Sequence, residues 1–306
     1  MASLRESTKK QYGQYLREYL EFFDTDGFKP CPTNLLSFLT SLYERGVGYS
    51  AINTARSAVS SVSAMLGSEK IGDHPTVCRF MKGIFNLRPS LPRHATTWNP
   101  DIALTLLDKS SEHLPLLELS RKVVFLVTLL SAQRVSTISS IQLKDLKFTP
   151  TSLTVNIGMV KQSRPGRGQQ PLLFETCSEY PNLCVVQQIK VYIKRTESLR
   201  ESCGYLFITS TVPYKHATKN TLANWIRYIL KSCNLSDYTA HSLRGAGASA
   251  AVRAGLPIDT VLAAAGWEKE STFCKFYNRP VRCSLDTSLL NTSALDLISD
   301  YVYISL

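Results

Sequence analysis

The stretch RPSLPRHATTWNP, residues 88–100, holds three prolines and shows no apolar periodicity. Proline fixes its own φ and biases the residue before it away from the helix. No regular element runs through such a stretch, so it divides the chain into two parts that need separate cores. The linker itself is assigned to residues 91–100, after a first domain of residues 1–90. Arg93, within it, and the neighbouring Arg88 make the stretch basic, which suits a segment crossing a phosphate backbone as well as a plain connector. A chain of 306 residues with 44% hydrophobic and 19% charged residues has enough apolar material for two domains.

The first part reads as four short amphipathic helices. In STKKQYGQYLREYLEFF, Tyr12, Tyr15, Tyr19 and Phe22–Phe23 recur at helical spacing behind a possible Ser7 cap. TNLLSFLTSLYERG puts Leu35, Leu36, Leu39 and Leu42 on one face and stops at Gly46. SAINTARSAVSSVSAMLG repeats the pattern, and HPTVCRFMKGIFNL tolerates Pro75 in its first turn. Together these predict a small all-α bundle.

The second part, residues 101–283, mixes classes. LLELSRKVVFLVTLLSAQR is nearly all apolar and predicts a buried helix that ends at Arg134. LTVNIGMVKQSRPGRGQQPLLFE predicts two strands around the Pro165-Gly166 turn, and YLFIT a short further strand. NLCVVQQIKVYIKRTE and TKNTLANWIRYILKSCN are helical, and SLRGAGASAAVRAG and IDTVLAAAGW predict two helices of small residues around Gly255-Leu256-Pro257. The expected class is therefore a helical N-terminal domain followed by an α+β, mostly helical domain with a small antiparallel sheet.

The formal net charge is +11. Residues 284–306 carry Asp286, Asp296 and Asp300 and no Lys or Arg, and this tail at −3 leaves +14 on residues 1–283. A surplus of that size points to a polyanionic partner. The eight cysteines form no C-x-x-C, and no histidine pair has zinc-finger spacing, which fits reduced thiols and no structural metal. Neither a signal peptide nor an apolar run long enough to span a bilayer is present in the sequence given, so an intracellular protein without a membrane partner is expected.

The polar residues most in need of explanation are Arg134, Lys161, His241, Arg244, Trp267 and Tyr277. Arg134 ends an apolar helix, where a guanidinium is costly unless it is paired or aimed at something. Lys161 sits at the tip of the predicted hairpin. His241 and Arg244 lie one helical turn apart in TAHSLRGAG, with Gly245, Ala246 and Gly247 allowing close approach behind and in front.

In this order the set resembles the signature R…K…H-x-x-R…H or W…Y of the tyrosine recombinases, or phage-integrase-type recombinases. KQSRPG, HSLRGAGAS and STFCKFYNRP are similar in wording to recombinases of DIRS and Ngaro retrotransposons. The resemblance covers roughly Arg134 to Tyr277, and the helical first domain looks like the family's core-binding (SAM-like) domain. It implies a site-specific recombinase or integrase of a mobile element, acting in the nucleus and needing neither metal nor cofactor. It implies cleavage through a covalent 3′-phosphotyrosine. A phenolate attacks phosphorus and leaves a bond that retains the energy for rejoining.

On this resemblance Tyr277 is the nucleophile and Arg134 and Arg244 hold the non-bridging oxygens. Lys161 protonates the leaving oxygen, and His241 accepts or orients the tyrosine's proton. Trp267 stands where many relatives have histidine. An indole has a donor and no acceptor, so it can bond phosphate or fill the site but cannot shuttle a proton. A structural ion pair is the rival role for Arg134. Candidate contacts to double-stranded DNA are Arg56, leading RSAVSSVSA, then Arg93, Arg164 and Arg167, the last two either on phosphate or merely solvated. The acidic, apolar tail either exchanges between protomers of a homo-tetramer on two DNA sites or folds onto its own domain. A type IB topoisomerase and a domesticated DNA-binding protein that no longer cleaves are the alternative readings.

Overall fold

The structure, a computed structural model, describes residues 4–23, 30–66, 69–89, 94–158 and 170–281. It divides into two units, residues 1–93 and 94–306.

In the first unit the four expected helices form: α1 (Glu6–Phe23), α2 (Pro32–Glu44), α3 (Tyr49–Met65) and α4 (Pro75–Leu87). Their starts follow from local chemistry. Cys31 Sγ accepts the Asn34 N–H ahead of α2, and His74 Nδ1 accepts the Thr76 N–H ahead of α4. Both helices carry proline in the first turn, where its missing N–H costs nothing. Gly46, at φ +84°, turns the chain out of α2. The periodic apolar residues meet in one core of Tyr19, Leu35, Phe38, Leu39, Leu42, Ile52, Val59, Val77 and Met81, among others. Each fully buried Leu there contributes roughly 1.5–3 kcal/mol.

The second unit is built around α6 (Leu116–Ser131), which follows α5 (Asp101–Leu107) and is buried almost all round from Val123 to Leu129. It is followed by α7 (Val135–Ser139) and by strands β1 (Leu146–Phe148), β2 (Ser152–Val155) and β3 (Leu172–Glu175). The strands form an antiparallel sheet in that order, with Leu146 opposite Val155 and Val155 opposite Leu172. Leu153, Val155, Leu172 and Phe174 turn inward and their neighbours outward, the alternation of a sheet covered on one face. The remaining helices are α8 (Val185–Thr196), α9 (Lys219–Ser232), α10 (Ser242–Arg253), α11 (Ile258–Ala265) and α12 (Glu270–Phe276). Helices α8, α9 and α10 pack on α6.

Strand β1 was not read from the sequence, and two further local features depart from that reading. YLFIT is buried, with Leu206, Phe207 and Ile208 fully enclosed, yet it makes only isolated bridges, Gln142 with Tyr205 and Ile208 with His216. Its partners are single residues of passing loops, so no ladder propagates. Residues 94–100, read from the sequence as the end of the linker, are part of the second unit, where Thr97 and Trp98 are buried.

The small residues of α10 have a direct steric reason. A Cβ on Gly247 would stand 2.2 Å from the Leu129 carbonyl oxygen, so α10 meets the backbone of α6 there. Among the described residues, no helix is long and apolar enough to cross a membrane.

Candidate active site

The site begins where α6 stops. Ala132 takes a left-handed conformation, φ +47°, and reverses the chain. Arg134 is therefore not on the apolar helix, as the sequence suggested, but caps the N-terminus of α7 in an extended conformation. The residue is half-buried, and its Nη1 is buried without a hydrogen-bond partner. Gln133, next to it, is 1% exposed, and its Nε2 donates to the Ala264 carbonyl at 2.6 Å.

His241 caps α10, and Arg244 follows in the first turn. Arg244 is 1% exposed. Its Nη2 donates to the Ala265 carbonyl at 3.2 Å, while Nε and Nη1 are buried without a partner. Both receiving carbonyls lie in the last turn of α11, whose C-terminal oxygens lack helical partners. Gly266, at φ +65°, closes that helix, and the Trp267 N–H returns to the Leu262 carbonyl. One helix end thus anchors Gln133, beside the first arginine, and the second arginine itself.

Trp267 lies over Arg244, whose guanidinium carbon is 4.8 Å from the ring, and its own ring is 4.5 Å from that of Tyr277. The indole Nε1 is buried without a partner. Tyr277 ends α12 and its hydroxyl stands 3.2 Å from His241 Nε2. The Ser249 hydroxyl donates to the Tyr277 carbonyl at 2.6 Å. Gly245 faces the Tyr277 ring at ordinary contact distance, so of the two glycines it is Gly247 that the packing demands.

The electrostatics are those of a cationic cluster. Burial first, then the Arg244 and Arg134 charges, pushes the His241 imidazole below its usual 6.5. It is neutral at physiological pH, and with the proton on Nδ1 its Nε2 accepts the phenol O–H. Burial and the neighbouring Arg134 push Arg244 down to about 10, with Tyr277 opposing the shift, so it stays charged near neutrality.

Arg134, His241, Arg244, Trp267 and Tyr277 are thus brought into one cluster. Lys161, Arg164, Arg167, Arg93 and the tail 284–306 lie outside the described residues. Arg56 is on α3 in the first unit, where its Nη1 donates to the Gly72 carbonyl at 3.2 Å. It lines a cavity of about 390 Å³ with Ser57, Ser60 and Lys70. Sequence reasoning missed Gln133, Ser249 and Trp98. The motifs SAQRV and HSLRGAGAS contain the first two, but nothing local distinguishes a glutamine or serine that reaches a distant carbonyl from a solvated one.

Comparison with known proteins bears on the family and the fold. The sequence matches the family described as "Phage integrase family" over residues 100–282, more than half of the chain. No curated protein matches it significantly. Among solved structures, the Tn1549 transposon integrase in complex with transposon right end DNA is similar with a TM-score of 0.61 at 14% identity, covering 90% of each chain. A lambda integrase dimer bound to a COC′ core site has a TM-score of 0.59 at 12% identity, covering 94% of each chain. A lambda integrase tetramer bound to a Holliday junction has a TM-score of 0.54 at 13% identity, covering 93% of this chain and 75% of that one. At these identities the structures speak to the fold, and the family match speaks to descent: the chain belongs to the phage integrase family, the family of the tyrosine recombinases.

Proposed function

We propose that this protein is a site-specific DNA recombinase or integrase of a mobile element, which cleaves and rejoins strands through a covalent 3′-phosphotyrosine. The observation that carries the reading is a set of buried, unpartnered donors. Arg134 Nη1, Arg244 Nε and Nη1 and Trp267 Nε1 all lie in the cluster that holds the phenol. An unsatisfied buried donor costs about 1–3 kcal/mol, and more when charged. Four in one cluster are understandable if their acceptor is a phosphate diester brought by the substrate.

The chemistry follows from the positions. Neutral His241 takes the phenol proton as the Tyr277 oxygen attacks phosphorus. Arg134 and Arg244 hold the non-bridging oxygens as charge builds, each such preorganised donor being worth about 2.7–4 kcal/mol in the transition state. The indole N–H of Trp267 adds a third donor. The P–O5′ bond breaks, and the leaving oxygen takes a proton from Lys161, the role the family resemblance gives it. Return of that 5′-hydroxyl, or of one from a second duplex, reverses the steps and frees the tyrosine.

The similar lambda integrase tetramer bound to a Holliday junction supports assembly of four protomers on two double-stranded DNA sites. That the tail passes between protomers, rather than folding onto its own domain, rests on the family resemblance alone. The wording shared with DIRS and Ngaro recombinases supports a eukaryotic element and a nuclear site of action. Arg56, Arg93, Arg164 and Arg167 are the proposed DNA contacts beyond the scissile phosphate, and their contribution falls steeply with salt.

The test uses a nicked suicide duplex cut from the DNA that flanks the open reading frame. A covalent adduct on a denaturing gel, absent in Tyr277→Phe, and strand exchange with a second duplex are the expected results. Plasmid relaxation without exchange would identify a topoisomerase. Salt-sensitive binding without any adduct would identify a binding protein.

A further inference from the structure

The nucleophile sits at the end of a helix that cannot hold itself. Helix α12 has seven residues and no side-chain cap at its start. A helix that short is not stable alone, so tertiary tethers decide where Tyr277 stands. One tether is the Ser249 hydroxyl on the Tyr277 carbonyl. A second lies three residues on, where the Pro280 carbonyl accepts the Thr97 N–H at 2.8 Å and Thr97 pairs with Val281 in a parallel bridge.

The next residue reaches the other side of the site. Trp98 is 2% exposed, and its indole N–H donates to Ser242 Oγ at 3.0 Å. The Ser242 hydroxyl donates in turn to the Thr239 carbonyl at 2.7 Å. Ser242 is the first residue of α10, between His241 and Arg244. The Trp98 ring also rests against Phe125 of α6, with centroids 6.1 Å apart. Two consecutive residues therefore hold the chain just after the nucleophile and the turn that carries its proton acceptor.

We propose that Thr97 and Trp98 are positioning residues, a clasp that fixes the Tyr277 phenol against the His241–Arg244 turn. The phenol–imidazole distance of 3.2 Å is at the upper end of hydrogen-bonding range, so a small displacement of either side breaks it. Thr97 limits movement of the nucleophile arm, and Trp98 limits movement of the turn. Because the two are adjacent in sequence, they hold both parts in one register. A misplacement of about 1 Å at a reacting centre costs on the order of 100-fold in rate.

The proposal rests on Tyr277 being the nucleophile, so its test has one arm that needs no reaction. In the full chain, 3-fluorotyrosine at position 277 reports the ring environment by fluorine NMR without DNA. The variants are Trp98→Phe, which keeps the ring and loses the N–H, Ser242→Ala, the double variant, and Thr97→Pro with Thr97→Ala as its control. The expected result is a fluorine resonance displaced toward that of the free amino acid in all but the control. On the nicked suicide duplex, adduct formation should fall by roughly 10- to 100-fold while DNA affinity stays within about two-fold. The double variant should be no slower than Ser242→Ala alone, because Ser242→Ala already removes the bond that Trp98→Phe removes. An unmoved resonance with adduct formation within two-fold of the parent overturns the clasp. So does a loss of DNA affinity and rate in step with a loss of folded protein. A parent protein that forms no adduct at all would refute the recombinase reading, and the fluorine arm would still decide the clasp.

Discussion

Two buried arginines in the second unit have opposite environments. Arg200, 5% exposed, spends every nitrogen on the protein: Nε and Nη2 bond the Thr196 hydroxyl, Nη1 the Tyr205 carbonyl and Nη2 also the Leu206 carbonyl. Arg244, 1% exposed, spends only Nη2 and leaves Nε and Nη1 bare beside Trp267 and Tyr277. Burial lowers the pKa of both. The difference shows that burial of a cation says little about its purpose, whereas the destination of its hydrogen bonds says much. Arg200 ties the end of α8 to the YLFIT segment. On the proposed function, the acceptor for the bare nitrogens of Arg244 is the phosphate of the substrate.

The largest effect separates the two in activity. Arg244→Met should slow adduct formation by about 10²–10³, or about 2.7–4 kcal/mol, with Arg200→Met unchanged per folded molecule in the same single-turnover assay. The reverse holds for folding. Arg200→Met strands buried carbonyls and should cost about 3 kcal/mol in urea unfolding. Gly247→Ala, which forces a methyl onto the Leu129 carbonyl, should cost about 1–3 kcal/mol in the same measurement.

A finer test uses pH. The rate of adduct formation at limiting DNA should climb as pH rises through the His241 pKa and level off at a midpoint below 6.5, a limb absent in His241→Gln. The linkage to stability has the same sign. Between the folded and unfolded pKa values the unfolded chain binds more protons, so the contribution is present above about 6.5 and lost as pH falls through the folded pKa. The smallest effect is the sharpest contrast: Arg244→Met should change stability by no more than about 1 kcal/mol, because removing the unsatisfied Nε and Nη1 donors offsets the single bond lost from Nη2 to the Ala265 carbonyl. A clear loss of stability there would make Arg244 a second Arg200.

Much of the fold was legible. Proline at 75, glycine at 46 and the spacing of Leu35, Leu39 and Leu42 are local signals, and α2 and α4 form where they place them. Helix α1 forms as well, but it starts at Glu6, so Ser7 lies within it rather than capping it. The β2–β3 pair was legible because alternation marks a face. YLFIT was not, because a buried apolar run reads the same whether or not a strand runs beside it. Arg134 was found, but its place was not, since the Ala132 reversal is a left-handed turn at a residue with no preference for one. The residues that support the site were the least visible, as the partner of Trp98 lies 144 positions away and that of Gln133 lies 131.

By itself the sequence determined the inventory and its order: two arginines, an H-x-x-R turn, a tryptophan and a tyrosine, on helices whose apolar faces were already set. The tertiary structure alone decided which donors are left without partners, that the phenol meets a neutral imidazole, and which buried side chains hold them in place. Local patterning records which face of an element avoids water. Where a polar atom finds its partner depends on packing between distant segments, which no window of sequence contains.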